Sequence, residues 1–227
     1  MKVIWHGHSF IEIQTAGKQL LIDPFIDGNP FTQVKAADFT ETDYILLTHA
    51  HADHVGSTEE IAQNSGATII AMTDLAKYFA QKGFKTAGPN IGGTEDFDFG
   101  TVKVIPAWHT AAAPVAGIQL PIGVATGLAI KSEGKLIYIA GDTGLFSDMQ
   151  LVARHQPADL AFLPIGDHFT MGADDAAYAA KLVQAKTVVP VHYNTFPAIK
   201  QDPQEFLDLL EDGQKGYLPE VDQAWTL

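Results

Sequence analysis

The 227 residues carry 27 acidic and 14 basic side chains, a formal charge of −13, with 46% hydrophobic and 18% charged residues. This composition excludes a disordered chain, and the negative field argues against nucleic acid or anionic membrane as main partner, though not against a small anionic substrate held by a metal. Cysteine is absent, so disulfides are excluded and any metal must be held by nitrogen and oxygen ligands.

The N-terminus Met1-Lys2-Val3-Ile4-Trp5-His6 lacks the apolar core of a secretory signal, and no stretch approaches ~18 consecutive apolar residues. A cytoplasmic protein without a membrane span is expected, with the length suiting one domain over 1–227. Val3-Ile4-Trp5 opens a strand. Residues 10–13 and 19–23 read as a β-hairpin around Ala16-Gly17-Lys18, ended by Pro24, which cannot continue a ladder. Residues 25–42 form an irregular connection. Tyr44-Ile45-Leu46-Leu47 is a short buried strand running into Thr48-His49-Ala50-His51-Ala52-Asp53-His54-Val55-Gly56. Residues 57–64 read as a helix with Ser57 as N-cap and Glu59 and Glu60 in its first turn. A strand over 67–71 follows, then a helix capped by Thr73 or Asp74 that ends at Gln81. Strands are expected at 97–99, 101–107, 128–130, 135–140 and 159–163, a helix over 173–184, a strand over 187–191 and a helix over 203–210. No internal repeat is visible by residue identity. The pattern suggests two packed sheets with helices outside.

Four segments share one grammar, an apolar strand followed by His or Asp and then small or polar residues. They are the 48–56 cluster, Trp108-His109-Thr110, Gly141-Asp142-Thr143 and Val191-His192-Tyr193. Three histidines within six residues, from nine in the chain, are not a chance cluster. A buried polar group needs partners, and a metal supplies them.

The order His49-x-His51-x-Asp53-His54, distant His109, Gly141-Asp142-Thr143 and late His192 resembles the metallo-β-lactamase superfamily over nearly the whole chain. Gly7-His8-Ser9, Leu21-Ile22-Asp23-Pro24-Phe25, the run from Gly166-Asp167-His168 to Gly172, and Pro190-Val191-His192-Tyr193-Asn194 resemble its small bacterial and archaeal metal-dependent hydrolase group, related to the ascorbate-phosphate lactonase branch. The resemblance implies an α/β, four-layer αββα sandwich, two mixed sheets face to face with helices outside. It implies one metal on His49, His51 and His109, a second on Asp53, His54 and His192, and Asp142 bridging both. Two divalent ions are expected, Zn²⁺ first, with Mn²⁺ or Fe²⁺ as competitors. The expected function is a dinuclear metal-dependent hydrolase, a metal-activated hydroxide attacking a carbonyl (ester, lactone, amide) or phosphoryl centre of a small molecule. Its alternatives are a mononuclear iron dioxygenase on a sulfur substrate and an RNA-processing nuclease. His51 stands where di-iron members of the superfamily place a glutamate, which favours hydrolysis.

Asp53 is assigned a second role in orienting the hydroxide. His168 is assigned to substrate binding or proton donation to the leaving group, against a plain loop histidine. His8 has two readings, a site residue or a histidine bonding backbone in the first hairpin. Asp23 likewise either orients a metal-binding histidine or caps the turn before Pro24. His6 is expected to be structural, His155 solvated, and Thr110 a neighbour of the cluster. Residues 110–127, uncharged and rich in Ala, Pro and Gly, are expected to be a loop without its own structure, a substrate wall or lid, or a homo-oligomer contact.

Overall fold

The computed structural model describes residues 1–115 and 117–227. β1 (Lys2–Trp5), β2 (Ile11–Thr15) and β3 (Lys18–Ile22) form an antiparallel meander. Ala16 and Gly17, both at positive φ (50° and 74°), make the two-residue turn that matches the twist of paired strands. β4 (Tyr44–Leu46) extends this sheet in parallel, followed by α1 (Ala52–Val55), α2 (Thr58–Ser65), β5 (Thr68–Ile70), α3 (Thr73–Gln81) and β6 (Thr86–Ala87). Leu20, Leu21, Ile22, Ile45, Leu46, Ile69 and Ile70 are buried along this parallel half, as expected where a sheet is covered on both faces.

The second sheet starts with β7 (Thr94–Phe97) and β8 (Gly100–Pro106). A separate hairpin, β9 (Ala112–Val115) and β10 (Ile118–Pro121), intervenes before β11 (Thr126–Ser132) and β12 (Lys135–Ile139). β13 (Leu160–Pro164), α4 (Ala173–Leu182), β14 (Thr187–Val191), α5 (Pro203–Asp208) and β15 (Lys215–Gly216) complete it, and β16 (Ala224–Thr226) returns to the first sheet beside β1. The orders are β16-β1-β2-β3-β4-β5-β6 and β15-β14-β13-β12-β11-β8-β7, each half antiparallel and half parallel. α3 packs on β5 and α4 on β13, so helices flank both sheets. This is the expected mixed α/β layering. No described helix is long and apolar enough to cross a membrane.

Several expectations change. The stretch 110–127 is not structureless: β9 and β10 pair within it, their prolines tolerated because both strands are edges. The expected strand at 97–99 lies at Thr94–Phe97, and the turn after it carries Phe99 into the core. Ser57 stands at the N-cap of α2 without a capping hydrogen bond, and α3 is capped by Met72, whose sulfur accepts from Asp74 N. A 3₁₀ turn at Ser147–Ala153 and the strand β16 were not expected.

Strand direction positions the site. β1, β3 and β4 run the same way, so the residues after them (His8, Asp23 and the 48–56 cluster) emerge at one edge of the first sheet. In the second sheet β8, β12, β13 and β14 also run one way, delivering His109, Asp142, His168 and His192 to one edge. The edges are tied together: Thr126 N and Oγ1 donate to Thr48 O (3.1 and 2.7 Å), and His192 N donates to His8 O (3.1 Å).

Candidate metal centre

Two groups of four His and Asp residues converge here, His49, His51, His109 and Asp142, and His8, Asp53, His54 and His192, with the ligand-type atoms of each group within 4.8 Å of one another. The seven side chains singled out in the sequence all lie in these groups, and His8 joins them. α1 is the local device: one helical turn puts Asp53 and His54 on a different side from His49 and His51, splitting the cluster between the groups. Gly56 follows that turn at φ +43°, where a Cβ would lie 2.3 Å from Pro24 O, so only glycine fits. Gly141, at φ +63°, allows the close approach beside Asp142, since a Cβ would stand 2.7 Å from Thr126 O and 2.9 Å from Thr48 Cβ.

In the first group His49 Nε2 and His109 Nε2 lie 2.9 and 3.3 Å from His51 Nδ1. Nitrogens at ~2.0–2.1 Å from a tetrahedral Zn²⁺ stand about 3.3 Å apart, so this triad fits such an ion. Asp142 is the centre of the whole array. Its oxygens lie 3.0 Å from His192 Nε2, 3.3 Å from His54 Nε2, 3.4 Å from His109 Nε2 and 3.9 Å from His49 Nε2. His54 Nε2 and Asp142 Oδ1 are buried without a hydrogen-bond partner, as is His192 Nδ1. Buried polar atoms are rarely left so, and a divalent cation would satisfy the first two together. The residues present therefore fit a metal.

Asp23 sets the tautomers. Its carboxylate accepts from Thr48 N (2.8 Å), Thr48 Oγ1 (2.6 Å) and His54 Nδ1 (2.7 Å). With its own proton on Asp23, Thr48 Oγ1 accepts from His49 Nδ1 (3.0 Å). His49 then presents a bare Nε2 lone pair inward, the form a metal needs, and Asp23 fixes the His54 ring with Nδ1–H outward and Nε2 inward. Asp23 thus orients histidines instead of capping the turn. His8, fully buried at φ +52°, places Nε2 3.2 Å from Asp53 Oδ2 and Nδ1 2.8 Å from Thr195 Oγ1, so its ring bonds side chains beside the cluster and not the hairpin backbone. His192 also sits at positive φ (55°); such strained backbone gathers at functional sites.

Burial, then neighbouring histidine charge, holds His49 well below the ordinary imidazole range, and burial lowers His51 and His109 too. Burial pushes His8 down to about 4. These rings are neutral at pH 7. Burial alone would raise the two aspartates, but the His192 and His54 charges keep Asp142 ionised, and the His8 hydrogen bond with the His54 charge does so for Asp53. His54 goes the other way: burial opposes its charge, yet Asp142 and Asp23 on either side outweigh it and raise it well above the usual value. Two carboxylates on one ring demand a positive charge at this spot.

Thr110 Oγ1 reaches His51 Nε2 at 3.3 Å. His168 is exposed, outside both groups, and packs on Phe169 with ring centroids 4.5 Å apart. His6 is structural, bonded to Asp222 (2.7 Å) and Glu12 (3.3 Å), and His155 is exposed. Thr48 and Thr195 were missed as orienting residues, although Thr48 immediately precedes His49.

The family model described as "Beta-lactamase superfamily domain" matches residues 18–193. A UPF0173 metal-dependent hydrolase of Ligilactobacillus salivarius is 62% identical over 100% of both chains. One from Geobacillus thermodenitrificans is 54% identical over 94% of each. Among solved structures, Igni18, described as a novel metallo hydrolase from Ignicoccus hospitalis, superposes with a TM-score of 0.90 at 35% identity, covering 100% of this chain and 98% of that one.

Proposed function

The chain belongs to the β-lactamase superfamily and, within it, to the UPF0173 metal-dependent hydrolases, and from that membership we propose a dinuclear site acting on a small molecule. It is a metal-dependent hydrolase with the metallo-β-lactamase fold. In our reading His49, His51 and His109 would hold one divalent ion and Asp53, His54 and His192 a second, with Asp142 placed to be shared between the two groups and Zn²⁺ the preferred metal. Bound there, the ions supply Lewis acidity and a water nucleophilic at neutral pH. The bond attacked is at a carbonyl or phosphoryl centre, and water is the only co-reactant.

The chain's own groups do the rest. Asp142 draws the two ligand groups together. Asp23 and Thr48 fix the proton on the outward nitrogens of His54 and His49. Asp53, whose Oδ2 accepts from His8 Nε2, keeps its other oxygen for ligation and for orienting the nucleophile. His168 is the proposed proton donor to the leaving group, supported by its packing on Phe169, which lines the cleft shared with Asp53.

The observation that carries the reading is the set of four imidazole nitrogens, drawn from both groups, at 3.0–3.9 Å from Asp142. Its test is metal content by mass spectrometry alongside hydrolysis of generic esters, lactones and phosphodiesters. Two equivalents per chain are expected, about one in His51→Ala and near zero in Asp142→Ala, with hydrolysis lost in both. Fewer than one equivalent in the wild type, with hydrolysis that survives His51→Ala, would sink it.

A further inference from the structure

In front of Asp53 lies a cleft of about 690 Å³ walled by Phe25, Phe169, Phe196 and Pro197. The volume falls within the ~300–1,000 Å³ of small-molecule pockets. The three rings come from separate segments, after β3, after β13 and after β14, so the fold assembles this wall at the edge where Asp53 sits. The wall is continuous with the site: His8, which touches Asp53, lies edge-on to Phe25 and Phe196 at centroid distances of 5.4 and 5.5 Å. Phe169 is 51% exposed. With Phe25, Phe196 and Pro197 it makes a contiguous apolar wall beside the candidate site, the kind of surface a ligand covers.

The charges around the cleft are of one sign. Asp53 and Asp27 line it, and no lysine or arginine among the described residues does. Sites for anionic phosphoryl and carboxylate groups add Arg or Lys donors; none lines this cleft, and Asp27, the lining carboxylate not assigned to a metal, stands beside the rings.

We infer that the substrate is a neutral acyl compound, an ester or lactone, whose apolar or aromatic part lies against Phe25, Phe169 and Phe196. This rests on the hydrolase reading above and narrows its two bond types to the carbonyl. Water adds at the acyl carbon, the bond to the leaving oxygen breaks, and that oxygen takes a proton, giving one carboxylic acid and one alcohol.

The test is kcat/KM of the metal-loaded protein on p-nitrophenyl acetate, butyrate and hexanoate and on bis(p-nitrophenyl) phosphate. A fully buried methylene is worth about fourfold, so hexanoate is expected to exceed acetate by tenfold or more and to exceed the diester. A hexanoate-to-acetate ratio near one, or a faster diester, overturns the inference. Phe196→Ala and Phe169→Ser are expected to cut that ratio at least threefold; Phe169 is exposed, so its replacement leaves the fold intact, and an unchanged ratio in both variants also overturns it. If the metal-loaded protein hydrolyses none of these compounds, the hydrolase reading of the site fails, and the cleft is judged separately by saturation-transfer NMR with 4-phenylbutanamide. Binding that Phe169→Ser weakens supports the cleft's preference for neutral apolar ligands, and no binding refutes it.

Discussion

Asp23 shows how much of this site depends on a residue that touches no substrate. Its carboxylate receives three donors, one of them His54 Nδ1 at 2.7 Å, and is fully buried. In Asp23→Asn one oxygen becomes an amide donor facing donors, so His54 and Thr48 lose their orientation. Metal affinity is expected to fall about 10–100-fold, the usual cost of losing an orienting partner, with kcat/KM falling alongside. A competitive zinc-chelator titration reads this, and an affinity equal to wild type would refute it. At this scale the sequence was legible where the chemistry demands rare residue types at close spacing, as in His49, His51, Asp53 and His54. It was ambiguous for His8 and Asp23, because their roles depend on which strand end they share with others. Thr48 and Thr195 were invisible, since a hydroxyl that relays a hydrogen bond looks like any other threonine.

Among the elements, β12 shows both ends of a strand at work. Its C-terminal end runs into Gly141, where Thr48 and Thr126 leave no room for a Cβ. Gly141→Ala combines this clash with positive φ, and a loss of about 2–4 kcal/mol is expected, with weaker metal uptake because Asp142 follows directly; urea unfolding measures the loss, and a change under about 0.5 kcal/mol would contradict the packing argument. At the other end Asp159 accepts from Leu136 N (2.9 Å) and pairs with Lys186 (2.8 Å), joining β12, β13 and β14. Burial alone would raise its pKa, but the Lys186 pair and the Leu136 amide outweigh it and depress it. A carboxylate whose folded value lies below its unfolded one adds stability above the unfolded value of ~4 and loses it as pH falls through the depressed folded value. Asp159→Asn is therefore expected to be less stable than wild type at pH 7, with the gap closing as pH drops from 5 towards 3. A gap independent of pH would show that Asp159 acts only through shape. Most strands were legible from apolar runs, but β9 and β10 were not: Pro114 and Pro121 argue against strands, and only their position in an isolated two-stranded hairpin permits them.

Taken whole, the chain repeats one design. β1-β2-β3-β4-β5-β6 and β8-β11-β12-β13-β14-β15 follow the same order, three antiparallel strands and then three parallel ones, with β9–β10 inserted in the second. Asp23 after β3 and Asp142 after β12 occupy equivalent places, and His54 lies between them, 2.7 and 3.3 Å away. No residue identity betrayed the repeat, because strand order is carried by backbone direction and apolar pattern, which many sequences satisfy; the superfamily was legible because its metal motif is not so degenerate. The consequence is energetic. One sheet supplies His49, His51, Asp53 and His54, and the other His109, Asp142 and His192, so ions held between them fasten the two sheets. A ligand that binds only the folded state at ~1,000 times its Kd adds about 4 kcal/mol. For a chain of this size each kcal/mol moves the midpoint by ~2–4 °C, so stripping the metal with EDTA is expected to lower Tm by about 8–16 °C. Excess Zn²⁺ should restore it. In Asp142→Ala the EDTA shift should vanish, since both groups lose their shared carboxylate. A wild-type Tm indifferent to EDTA, or a shift of equal size in Asp142→Ala, would mean that any bound metal does not join the sheets at this site.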